Sequence, residues 1–160
     1  DKTIGLHPIT VQKAVLVGKA AGVVVVPAGD RLFVVGPGKE VTSWNAGSAA
    51  KEKAFDAGAD AVRAAVTKDG QKLAVSVADG SVKLFTIADA KLVGSIPAGA
   101  PAVGLAFHPT APALVGVLNN KSAAAWGVTF AAGDNGKPLQ SYPLPAASSA
   151  PAFLGDGQFL

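Results

Sequence analysis

The chain has no cysteine and no methionine among its 160 residues, one tyrosine, two tryptophans and two histidines. Without cysteine there are no disulfides, no zinc fingers and no thiol chemistry. The compartment stays open, because reducing and oxidising locations both tolerate a cysteine-free chain. Charge is sparse too, at 16% of residues, and the 14 basic and 11 acidic side chains leave a formal net charge of +3. These charges are scattered, and the longest run is Lys51-Glu52-Lys53. Neither a nucleic-acid surface nor a membrane-surface patch is written in such a pattern. Long apolar runs are also missing. The stretch 14–35 is interrupted by Lys19, Pro27, Asp30 and Arg31, which excludes a membrane span. Residues 14–17 lack the length and flanks of a signal peptide. With no methionine and Asp1 in first place, the chain reads as processed or as a piece of something longer.

What is present is 49% hydrophobic, mostly alanine and valine. That composition suits many short buried strands and is foreign to a disordered linker. At 160 residues one domain with a real core is the default. An octapeptide recurs four times: DKTIGLHP (1–8), GKEVTSWN (38–45), DGSVKLFT (79–86) and NKSAAAWG (120–127). Its aromatics Trp44, Phe85 and Trp126 are spaced 41 and 41 apart, and Leu32, Leu73 and Leu114 repeat the same two spacings. Leu160 follows Leu114 by 46, the five extra residues falling near AAGDNGKPL (131–139). Two independent columns with one period define an internal repeat.

Each period resolves into four short strands, a to d. In the second unit these are expected at 62–66, 72–77, 81–86 and 91–96, valine-rich segments bounded by Gly, Asp and Pro. Asp79-Gly80 between alternating apolar runs is a hairpin signal. The period of two places Lys83 and Phe85 on the face opposite Val82 and Leu84. The alanine-rich segment 53–66 has helical propensity. It falls in register with residues 99–103, however, where Pro101 argues against a helix.

Four antiparallel strands repeated at about 41 residues are the signature of a β-propeller blade. The run AVRAAVTKDGQKLAVSVADGSVKLF (61–85) resembles the strand, turn, strand and D-G-x-V-x-L-W order of WD40-type repeats, of the divergent bacterial sort. The resemblance spans nearly the whole chain. The family's Trp-Asp pair is replaced by Trp44-Asn45, Phe85-Thr86, Trp126-Gly127 and His7-Pro8, and its Gly-His pair by Gly58-Ala59 and Gly99-Ala100. The family's buried His–Asp network is therefore absent in its usual form, and hydrophobic packing is expected to hold these blades. The fold expected is one all-β propeller or propeller segment over 1–160. Full blades are read at 19–58, 59–100 and 101–146. A split blade supplies strands c and d from 1–18 and strands a and b from 147–160. Three closures stay open: a segment of a larger propeller, two chains completing an eight-bladed ring by self-association, or a closed four-bladed ring.

Candidate sites are few. His7 stands in the aromatic column and reads as a ring filling that slot. His108, in His108-Pro109-Thr110, reads as a turn residue. Two lone histidines without an acidic cluster make a poor metal site, and no G-x-S-x-G exists. No catalytic residue, cofactor or metal is therefore assigned. Arg63 shares a first-strand column with Gly22, Gly104 and Ala150, so its side chain is a candidate to hold an anion in a central channel, against an ordinary ion pair with Asp60. The loops between blades and between strands b and c are expected to share one face. They supply Lys19, Lys39, Asp60, Asp79, Asn119, Asn120 and Lys121, a candidate interaction surface. The segment 131–138 reads as a polar, glycine-rich loop on the opposite face. Asn120-Lys121-Ser122 fits the N-glycosylation pattern, which the resemblance to bacterial repeats implies is a coincidence of spacing.

The resemblance implies a non-catalytic protein-interaction scaffold, part of a larger protein or assembly, binding protein partners rather than nucleic acid. By the same analogy it implies an exported or periplasmic setting, since such repeats accompany large exported proteins, some with c-type cytochrome domains. No C-x-x-C-H occurs here. The alternative is an enzyme or small-molecule binder using the central channel. Against it, the first strands VVVVP, AVRAAV, AVGLAF and APAFL are nearly all apolar.

Overall fold

The computed structural model describes residues 24–130, 135–144 and 151. The candidate half-blade 1–18, with His7, lies outside them, as do Lys19 and the strands read at 147–160. Twelve strands occupy the described residues, in three four-stranded antiparallel sheets of simple meander order.

The first sheet runs β1 (Val24–Ala28), β2 (Arg31–Val35), β3 (Glu40–Asn45) and β4 (Lys51–Asp56). The second runs β5 (Ala61–Val66), β6 (Lys72–Val77), β7 (Ser81–Thr86) and β8 (Leu92–Pro97). The third runs β9 (Ala102–Phe107), β10 (Ala113–Leu118), β11 (Ser122–Val128) and β12 (Asn135–Pro143). The alanine-rich 53–66 is strand, connection and strand, its turn carried by Gly58 at φ +79°. The fourth strand of the second unit lies one residue later than the pattern suggests. Ala90 adopts a left-handed φ of 55° and Thr86 N donates to Lys91 O, so the turn consumes Lys91.

A second correction concerns the segment 131–138. Its latter half is not loop but strand. Lys137 pairs with Gly127 and Pro138 with Trp126, which lengthens β12 to nine residues against six in β4 and β8. The extra residues extend the outer strand.

Bulges repeat along with the strands. Val62 is unmatched between Ala61 and Arg63, and Val103 occupies the same place in the third sheet. On the outer strands Glu52, Val93 and Leu139 are unmatched, and β12 has a second unmatched residue, Gly136. An extra residue sharpens strand twist, so the bulge shared by the three outer strands bends each of them at the same place.

The sheets stack in chain order. The inner strands β1, β5 and β9 are neighbours, and the outer β8 lies beside β12. Between the first and second sheets lie Phe33, Val41, Phe55, Leu73 and Phe85, all essentially inaccessible. Phe55 contacts Phe33 at 6.0 Å between centroids and meets Phe85 edge-on at 5.7 Å. Between the second and third sheets lie Val82, Leu84, Ile96, Leu114 and Trp126. Phe85 thus faces backward while Val82 and Leu84 face forward, as the period of two requires. Gly116 accommodates Trp126: a Cβ there would stand 2.8 Å from the indole ring. The matching pair in the second sheet is Val75 with Phe85, a smaller ring beside a larger neighbour.

Candidate interaction rim

Turn chemistry fixes the loops first. Every turn within the second sheet is closed by an aspartate. Asp69 accepts from the Thr67 hydroxyl at 2.5 Å and Gln71 N at 3.0 Å. Asp79 accepts from the Ser81 hydroxyl at 2.7 Å and Ser81 N at 2.8 Å. Asp89 accepts from the Thr86 hydroxyl and from Lys91 N. In each case the hydroxyl donor is the first cause, and the backbone donor the second, that holds the carboxyl below its ordinary value. Elsewhere Asn45 caps the β3–β4 turn, and Asn120 accepts from the Ser122 hydroxyl at 2.6 Å. His108 Nδ1 accepts from Thr110 N and Ala111 N, so it closes the β9–β10 turn. These are self-contained Asx-type turns.

One edge of the stack is tied from sheet to sheet. Ala57 N donates to Lys39 O, Ala61 N to Gly38 O, Ala78 N to Asp60 O, Ala98 N to Gly80 O, and Asn119 N to Pro101 O. The β2–β3, β6–β7 and β10–β11 turns are thereby bonded to the connections leaving and entering the sheets. Lys39, Asp60, Asp79, Asn119, Asn120 and Lys121 all stand exposed along this edge. Asp79 and Asn120 each turn a side-chain Oδ1 onto their own turn, and Lys39 reaches Asp56 at 3.6 Å with both side chains largely exposed. Lys121 sits at φ +64°, where the second sheet has Gly80.

Arg63 lies off this edge, on the inner strand β5 at the bulge. It is half-buried, and its Nη1 donates to Val62 O at 2.8 Å. No ion pair with Asp60 forms; the ion pairs among the described residues are Arg31–Glu52, Lys39–Asp56 and Lys51–Glu40.

On the opposite edge, two clefts flank the Thr67–Gly70 turn. One, of about 460 Å³, is lined by Asp30, Arg31, Lys68 and Asp69. The other, of about 680 Å³, is lined by Lys68, His108, Thr110 and Pro112. Both are open and of mixed charge. Among the described residues no group of His, Asp and Glu is placed to hold a metal, and no helix is long and apolar enough to cross a membrane.

Several contacts are invisible to sequence reading. Ser76 Oγ, wholly buried, accepts from Ala102 N at 2.8 Å and stitches the second sheet to the third. Lys53 Nζ donates to Ala88 O, and Lys72 lies 5.3 Å from the Phe130 ring centre, each crossing between sheets. Such contacts depend on which neighbour is stacked where, and no local signal encodes that.

The fold and rim define a class: an all-β stack of repeated four-stranded antiparallel sheets with their turns joined along one edge. Among solved structures the chain is similar to Kuenenia stuttgartiensis Hydrazine Synthase, with a TM-score of 0.73 and 18% identity. The match covers 92% of this chain and 43% of that one. At that identity the likeness concerns fold alone. No family model and no curated protein matches the sequence.

Proposed function

We propose that the three sheets are blades of a WD40-like β-propeller, and that the chain is a non-catalytic protein-interaction scaffold within a larger protein or assembly. The blade reading is supported by the meander order, the shared bulges, the adjacent inner strands and the likeness to a much longer solved chain. The activity named in that protein's title is not carried over.

The scaffold reading rests on the rim. Its backbone bonds run from sheet to sheet, so Lys39, Asp60 and Lys121 are displayed on a surface that does not have to be ordered on binding. Pre-organisation of this kind lowers the entropy cost of association. Charged rim groups steer and select partners more than they add affinity.

The test is calorimetric titration of a protein that copurifies from the native source. The triple variant Lys39→Ala, Asp60→Ala, Lys121→Ala is expected to weaken binding about tenfold or more, roughly 1.4 kcal/mol, without changing the melting temperature. Lys68→Ala, on the opposite edge, is the control and is expected to bind normally. Equal binding by all three proteins would reject the rim as the interface.

Arg63 supports a second reading, a small-molecule or carboxylate site on the inner strands. The same bulge forms in the third sheet around Gly104, so the backbone does not require this guanidinium. Most of its donors remain available for an anion. A carboxylate ligand whose affinity is unchanged in Arg63→Ala would dispose of this reading.

A further inference from the structure

We infer that a slot at the rim, between the second and third sheets, receives an acidic side chain from a protein partner. The inference rests on the scaffold reading and names the group that the rim would take. The slot is a cavity of about 370 Å³. Pro97 and Ala98 wall it from the second sheet, and Trp126, Pro138 and Leu139 from the third. The repeat shows where the space comes from. In the second sheet Lys83 pairs with Ser95, and its Nζ donates to Ser95 Oγ at 3.1 Å. In the third sheet the same two places are Ala124 and Ser141, and both line the cavity. A methyl group thus stands where the preceding sheet has a four-carbon stem and an ammonium, while the serine hydroxyl is kept.

Charge selects the occupant. At the junction of the first and second sheets Ala78 N donates to Asp60 O, and the turn beside it carries Asp79. At the junction of the second and third, Asn119 N donates to Pro101 O, and the turn carries Asn120. Both acids of the first junction are therefore replaced by neutral residues at the second. Lys121 is added there in the place of Gly80, between Asn120 and Ser122, which line the slot. Residues 102–130 and 135–144 include no aspartate or glutamate, and apart from His108 their ionisable side chains with a positive charge are Lys121 and Lys137. Asn120 Oδ1 accepts from the Ser122 hydroxyl at 2.6 Å, so Asn120 offers its amide N–H groups to a ligand. Amide and hydroxyl donors beside a lysine, with no carboxylate among these residues, are complementary to a carboxylate. The apolar walls suit the methylenes of a glutamate, and Leu139, 58% exposed, extends them to the surface.

The two tryptophans give a direct test, because each has one indole N–H resonance. Trp126 lines the slot, whereas the Trp44 indole lies in the first sheet and donates to Thr42 Oγ1 at 2.9 Å. The probe is N-acetyl-glutamate amide, compared with its glutamine and lysine analogues. The glutamate probe is expected to move the Trp126 resonance and to leave that of Trp44 in place. Lys121→Ala should weaken this binding about threefold, and Lys121→Arg should keep it. Ala124→Gln should abolish it by filling the slot with the fold intact, since the second sheet carries the longer Lys83 at that place. Equal shifts from the glutamine analogue, preference for the lysine analogue, no shift with any probe, or full binding by Ala124→Gln would each overturn the inference. Its failure is separable from that of the rim reading. A copurifying partner weakened by the Lys39, Asp60 and Lys121 triple variant but indifferent to Ala124→Gln removes the slot alone. A partner indifferent to both, beside a slot that still takes the glutamate probe, removes the rim reading alone.

Discussion

Two buried serines show how one residue type has opposite consequences at the residue scale. Ser76 Oγ satisfies Ala102 N–H, the group whose equivalent, Ala61 N–H, is satisfied by the Gly38 carbonyl. Ser76→Ala leaves that amide buried without an acceptor, and a loss of about 1–3 kcal/mol is expected from denaturant unfolding. Ser43 is equally buried, but its Oγ has no hydrogen-bond partner. The same column holds Leu84 and Ala125, so an apolar side chain suits the place. Ser43→Ala is expected to leave stability unchanged or raise it by up to about 1 kcal/mol. Both serines sit within a strand, Ser43 between Thr42 and Trp44 and Ser76 between Val75 and Val77, and nothing in those neighbours separates a partnered hydroxyl from an unpartnered one. Their difference lies in what the next sheet brings within reach.

Turns carry the prediction that belongs to the element scale. Asp69, Asp79 and Asp89 are each held below the ordinary aspartate value of 3.8, first by a hydroxyl and then by a backbone N–H of the same turn. A carboxylate with a lowered folded-state value contributes stability above 3.8, the value of the unfolded chain, and loses it as pH falls through the lowered value. Stability should therefore be level above that range and decline on its acid side. The triple variant Asp69→Asn, Asp79→Asn, Asp89→Asn should flatten the acid limb of a melting-temperature profile. The change should be small, because all three groups face solvent. A variant whose acid limb keeps the parent slope would show that other carboxylates govern it. These turns were legible beforehand, since Asp, Gly, Ser and Thr at fixed offsets act within a few residues. The extension of β12 was not. Asn135-Gly136-Lys137-Pro138 has turn composition, and only pairing with β11 holds it as strand.

For the whole molecule, the stack behaves as a series of nearest-neighbour interfaces. Phe55 is fully buried at the first of them, against Phe33 and Phe85. Phe55→Ala should cost about 3–5 kcal/mol. Hydrogen exchange should show the loss in the first and second sheets, with the Ala102 amide at the second interface still protected. Uniform loss of protection would mean that the sheets open together. How much of this could be read without coordinates follows from the range of the forces. Repeat length, the four strands of each described sheet and most of their turns were set by the sequence alone, because Asp-Gly turns, β-branched runs and the Leu and aromatic columns act over a few residues. The expected rim residues Lys39, Asp60, Asp79, Asn120 and Lys121 were placed by the same local logic. The tertiary structure alone decided which face of each sheet meets which neighbour, the size match of Gly116 with Trp126, and the partner of Ser76. The reason is that both faces of the second sheet are buried. Alternation between polar and apolar then disappears, and only the stacked neighbour distinguishes one face from the other.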